Sequence, residues 1–160
     1  MAFTMQTSGM EELTKKLAKL GEKAQGVASL ALYEGAGLMA DSVSQAVHGI
    51  TTEPFRYGTS ANRRKPSPEE KEILENARKG IAKFRKSPDR VDTSVGMQNS
   101  GYADLKGRTV PVPLIANAIN SGTSFMQKQP FMRKALSKKN AAVAKIEQEL
   151  EKRINELIQD

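Results

Sequence analysis

Along residues 130–158 apolar side chains return every three or four positions, as Phe131, Ala135 and Leu136 and then Val143, Ile146, Leu150, Ile154 and Leu157. That period is one face of an α-helix, and Glu147, Glu149, Lys152, Arg153 and Glu156 flank it. Pro130 suits a first helical turn. A helix this long is hard to cover with the rest of a 160-residue chain, which reads as one domain, 1–160, with one modest core. Part of its face is therefore expected to pack on another chain. Aromatics are 5% of the residues and tryptophan is absent, so the core has to rest on Leu, Ile, Val, Met and Ala. Such a core points to a protomer stiffened by its neighbours.

The N-terminal half carries the same period. Ser8 is placed to cap a helix over 9–21, with Glu11 and Glu12 at its positive end and Met10, Leu13, Leu17 and Leu20 as its stripe. Gly21 is expected to end or bend it. A second helix is expected over 27–48, with Ala28, Leu32, Ala36, Met39, Val43, Ala46 and Ile50 on one side. Gly35 and Gly37 inside it would let a neighbouring helix or subunit come close. From Gly49 to Pro66 turn formers and polar residues mark an exposed loop, in which Arg56, Arg63, Arg64 and Lys65 lie near Phe55 and Tyr57. Ser67-Pro68-Glu69-Glu70 is a capping box with proline in the first turn, and it opens a predicted helix over 67–86. Ile73, Ala77, Ile81 and Phe84 would be its buried stripe, and Lys71, Arg78, Lys79, Lys83, Arg85 and Lys86 its basic outer face. Alternation over 91–98 predicts a strand, and 108–113 a second extended piece that closes a hairpin or meander, with Pro111 and Pro113 confining it to an edge. Residues 114–119 suit a short helix.

The net charge of +7 is concentrated: residues 63–90 hold ten Lys/Arg against five acids. Basic residues beside aromatics can grip a nucleic-acid backbone, and they are also ordinary solvated surface. The chain has no cysteine, so disulfides, thiolate metal sites and a cysteine nucleophile are excluded. The first ten residues lack the basic-then-apolar order of a signal, and no stretch approaches a membrane span, so a soluble protein without a signal is expected. The single histidine, His48, has no second imidazole or thiol at ligand spacing. No phosphate-binding glycine loop, nucleophile elbow or metalloprotease signature occurs, and the pairs Glu11-Glu12 and Glu69-Glu70 are explained as helix starts. No cofactor, metal or catalytic residue is expected.

The run from Ile119 through Gly122-Thr123-Ser124 to Gln129-Pro130-Phe131-Met132-Arg133 and Leu136 resembles a hallmark of the siphophage tail-component family. There a Gly-Thr-Ser turn is followed by a short polar link, a Gln-Pro-Phe step and an arginine-bearing helix. Gly9 to Leu13 with Leu17 and Leu20, and the strand Val95-Gly96-Met97, are similar to family features more loosely. The pattern departs at Pro54 to Thr59, where many members place a proline, a Thr-Gly and a leucine-rich strand. The resemblance implies an α+β fold, with a small antiparallel sheet against long N-terminal helices and a long C-terminal helix. It implies a virion protein made in the host cytoplasm, a tail-completion or head-to-tail joining subunit in a homo-oligomeric ring of six. The ring would join the tail tube to the head-closure and connector proteins while DNA passes through its lumen, with no membrane partner. Gly122, Thr123, Ser124, Pro130, Phe131 and Arg133 would then be structural or interface residues. Arg63, Arg64, Lys65, Lys79, Lys83, Arg85 and Lys86 are candidates for contact with a neighbouring ring or with DNA. The alternative is a basic DNA-binding protein. A small hydrolase, the third reading, would require a role for His48 or an acidic pair.

Overall fold

The computed structural model describes residues 10–87, 90–97 and 101–159. A cap by Ser8, the side-chain stripe of Met10, Leu13, Leu17 and Leu20, and the expected breaks at Pro88 and Asn99-Ser100 lie outside the described features. The fold is α+β, with long helices at both ends and small antiparallel sheets between them.

One helix, α1 (Met10–His48), replaces the two expected. Gly21 does not end it, because a glycine in a helix costs only about 1 kcal/mol relative to alanine, and no proline falls within the span. The capping box forms as read: the Glu70 amide donates to Ser67 Oγ at 3.2 Å and the Ser67 amide donates to Glu70 Oε2 at 2.7 Å. The helix it opens, α2 (Pro68–Asn76), stops ten residues short of the expected end. Ala77 turns extended, and residues 79–87 go into strands β1 (Lys79–Ile81) and β2 (Arg85–Ser87). Ile73, Ala77, Ile81 and Phe84 fit a helical period, but pairing with a distant strand overrides it.

That partner is the expected strand 91–98, present as β3 (Arg90–Asp92) and β4 (Val95–Met97). β1 pairs with β4 and β2 with β3, and the register shifts by one between the two ladders. Ala82 still faces Ser94, its amide donating to the Ser94 carbonyl at 2.8 Å, while Arg85 faces Asp92. Two residues, Lys83 and Phe84, therefore stand opposite the single Thr93. The element is one long hairpin with a β-bulge, which bends and twists the ribbon. Thr93 Oγ1 donates to the Ala82 carbonyl at 2.9 Å beside it.

The other extended piece, β6 (Arg108–Pro111), pairs with β5 (Tyr102–Leu105) and not with 91–98. Lys106 (φ 54°) and Gly107 (φ 75°) are both left-handed, as a two-residue type I′ turn demands. Helix α3 (Val112–Ser121) follows, longer than the short helix expected.

The C-terminal helix is also divided. α4 (Phe131–Ala135) passes through a 3-10 turn, Leu136–Lys138, into α5 (Lys139–Gln159). Ser42 Oγ of α1 donates to the Ala135 carbonyl at 2.9 Å, while the Lys139 amide, its usual helical partner, bonds to Leu136. A cross-helix bond thus occupies the carbonyl that a continuous helix would use.

α1 supplies Val43, Ala46 and Val47, and the turn after it Ile50, to a core completed by Leu74, Val112, Ile115, Ile119, Met126, Phe131 and Ala135. α5 runs back along α1. Gly35 lets it approach: a Cβ there would lie 2.9 Å from the Ala142 carbonyl and against the Ile146 side chain. The close approach read from small residues holds at Gly35, within the chain, whereas a Cβ on Gly37 would meet nothing within 4 Å. Gly35→Ala is expected to lower stability by about 1–3 kcal/mol through overpacking, read as an earlier urea midpoint with native helix content.

Candidate functional site

Residues 119–133 form one joint between the core and the loop 51–66. Gly122 adopts φ 78°, which ends α3, and its amide donates to the Ala118 carbonyl at 2.9 Å. A side chain there would also press on Lys128, whose backbone nitrogen would lie 3.0 Å from the Cβ. Thr123 closes the turn, its amide donating to Met126 O at 3.0 Å and its Oγ1 accepting from the Met126 amide at 3.0 Å. Met126 is buried and forms a parallel bridge with Arg64, through Arg64 N to Phe125 O (2.9 Å) and Gln127 N to Arg64 O (2.8 Å). The Gln129 amide reaches back to Ile119 O at 2.7 Å, and the Met132 amide donates to Asn120 Oδ1 at 3.2 Å. Phe131 enters the core, while Ser124, Pro130 and Arg133 lie on the surface. Gly122, Thr123, Pro130 and Phe131 thus belong to one structural unit.

The Gln129 side chain, given no separate role in the sequence reading, completes the joint. Its Oε1 accepts from the Thr51 amide at 2.9 Å and the Thr51 hydroxyl at 3.1 Å, and its Nε2 donates to the Thr51 carbonyl at 2.6 Å. Gln129→Ala is expected to cost about 1–2 kcal/mol and to speed hydrogen exchange at the Thr51 amide while core amides keep their order of protection.

The basic residues separate into two groups. Arg64, read as a contact candidate, turns inward: its guanidinium meets both Glu70 oxygens at 2.7 Å, donates to Lys65 O at 3.0 Å and covers the Phe55 ring at 4.9 Å. Burial pushes the Glu70 carboxyl up, but the Arg64 and Ser67 hydrogen bonds outweigh it and hold it below its ordinary value. Lys65 pairs with Glu53 at 2.9 Å. Lys79 is half-buried on β1 and donates to Glu75 O at 2.6 Å, and burial lowers its pKa. His48 pairs with Glu75 at 2.8 Å, and Lys71 donates to the His48 carbonyl at 2.8 Å, a brace between α1 and α2. The second group is exposed. Arg63 lies on the loop, and Lys83, Arg85 and Lys86 lie on the bulged hairpin instead of a helix face. Beside the bulge an open cleft of about 490 Å³ is lined by Lys83, Arg85, Asp92, Thr93 and Ser94 among others.

Among the described residues no group of three or more His, Asp or Glu side chains is placed to hold a metal ion, and no helix is long and apolar enough to cross a membrane. No family model, curated protein or solved structure matches the chain.

Proposed function

We propose that this chain is a structural subunit of the bacteriophage neck, a tail-completion or head-to-tail joining protein that acts by assembly in a ring through which DNA passes. The observation that carries the reading is the joint at 119–133. The residues through which the sequence resembles the siphophage tail-component family are those that build it: a left-handed Gly122, the Thr123 turn, Gln129 on Thr51 and Phe131 in the core. Large apolar side chains left exposed on the two long helices, Leu30, Tyr33 and Leu38 on α1 and Val143 and Ile158 on α5, suit a subunit that meets neighbours. Tail tube and head-closure proteins are the partners this role requires.

Interrupting the reading frame in the genome that encodes it tests the role. Filled heads and separate tails that join when purified protein is added are the expected result, and intact infectious particles without the protein would sink it. The second reading, a basic DNA-binding protein outside the virion, is favoured by the exposed hairpin cations. It predicts normal particles from the same interruption.

A further inference from the structure

The ten Lys/Arg of residues 63–90 are not equivalent once folded. In the first part, Arg64 is neutralised by Glu70, Lys65 by Glu53 and Lys71 by Glu75, and Lys79 is tied to a helix carbonyl. On the hairpin, Lys83, Arg85 and Lys86 are exposed and make no ion pair among the described residues. The stretch 83–92 holds four basic residues, Lys83, Arg85, Lys86 and Arg90, against two acids, Asp89 and Asp92. Asp92 is the register partner of Arg85 and tempers the charge locally without cancelling it. Three exposed cations thus sit close together on one ribbon, whose strands pack on α1.

The shape of that ribbon adds a second argument. A bulge places Lys83 and Phe84 opposite one residue, breaks the alternation, and twists the strand that carries Arg85 and Lys86. A twisted two-stranded ribbon is of a size that the major groove of duplex DNA admits. The adjoining cleft is lined by the hydroxyl residues Thr93 and Ser94 together with Phe84 and Asp92. No large apolar side chain is exposed among the described residues 79–97. Protein interfaces concentrate aromatic residues and methionine at their centres and are poor in lysine, so this surface has the character of a polyanion contact.

We propose that the bulged hairpin 79–97 is a sequence-indifferent contact for the phosphate backbone of duplex DNA, with Lys83, Arg85 and Lys86 as the contacting cations. This deepens the neck reading by naming the surface turned to the DNA, and it rests on that reading only for where the DNA is met. Arg64, Lys65 and Lys79 have no part in it.

The test is the affinity of the purified full chain for a labelled duplex of random sequence, by fluorescence anisotropy across a salt series. The variant Lys83→Gln/Arg85→Gln/Lys86→Gln is compared with Lys138→Gln/Lys139→Gln/Lys152→Gln, which removes the same charge from exposed positions flanking and along α5. The hairpin variant is expected to bind about tenfold or more weakly at low salt and to lose about three from the slope of log K against log salt. The α5 variant keeps the wild-type slope. Equal losses in both variants, or no binding by the wild type, overturn the proposal. Indifference to duplex with capture of polyglutamate through the same three residues also overturns it, in favour of an acidic protein partner. The salt slope is read on the free chain and the neck role on virion assembly, so either can fail while the other stands.

Discussion

Arg64→Met is expected to destabilise the fold by about 3–5 kcal/mol, because it leaves the Glu70 carboxylate buried without its counter-charge. The side chains of Arg64 and Glu70 are only 8% and 5% exposed, and both guanidinium nitrogens in the pair bond at 2.7 Å. Glu70 also accepts from the Ser67 amide, so the pair secures the start of α2 as well as the loop that precedes it. Arg64→Met/Glu70→Gln should recover much of the loss, since glutamine can still accept from Ser67 and carries no charge. Denaturant midpoints of wild type, single and double variants check this, and a single variant as stable as wild type would refute it.

The same pair sets an acid limit. Glu70 has its folded-state pKa depressed below the ordinary 4.5, so the stability it contributes is present above that value and is lost as pH falls through the lower, folded one. In Arg64→Met the largest remaining influence on Glu70 is burial, which raises its pKa. The Ser67 bonds still lower it, so with both Arg64 contributions gone the depression shrinks and the variant should lose less stability than wild type as pH falls below the ordinary carboxylate value. Thermal melts over that range distinguish the two.

Phe131→Ala is expected to cost a similar 3–5 kcal/mol, through lost burial and a cavity at the meeting point of α1, α3 and α4. The ring is 2% exposed among Val43, Val47, Ile115 and Ile119 of the core cluster. Its position makes the effect directional. With the ring gone, α4 loses its anchor and the Gln129–Thr51 bonds lose the fixed helix entry behind them. Amides of the joint should therefore exchange faster before those of the α1–α5 contact. Phe131→Leu should retain most of the stability.

Local chemistry was readable wherever a short stretch decides its own conformation. Ser67 to Glu70 announces a helix start and makes one, and Gly122 and Phe131 take the turn and anchor positions their types suggest. What was misread depends on distant residues. Residues 77–86 carry a helical period but pair with 91–97, and nothing within the segment names that partner. The turn at Lys106-Gly107 lacks the usual Asn-Gly or Asp-Gly signal, so the partner of β6 was not visible either. Arg64 stands between Arg63 and Lys65 and reads as solvated surface. The signal that it is structural was the capping-box Glu70 six residues on, which needs a counter-charge once buried. Gln129 was visible as part of a motif, but its partner Thr51 lies beyond any local window.

The antiparallel seat of α5 on α1, with Gly35 against Ala142 and Ile146, joins the far ends of the described chain. During synthesis α1 emerges first and must wait for nearly every other element before its covering helix exists. Its small-residue groove and apolar face are open to chaperones or to another nascent copy throughout that interval, and a ribosome that stops early releases a chain with that groove uncovered. The α1–α5 contact therefore forms only once α5 has been made, and a chain cut short before Lys139 leaves the groove at Gly35 open.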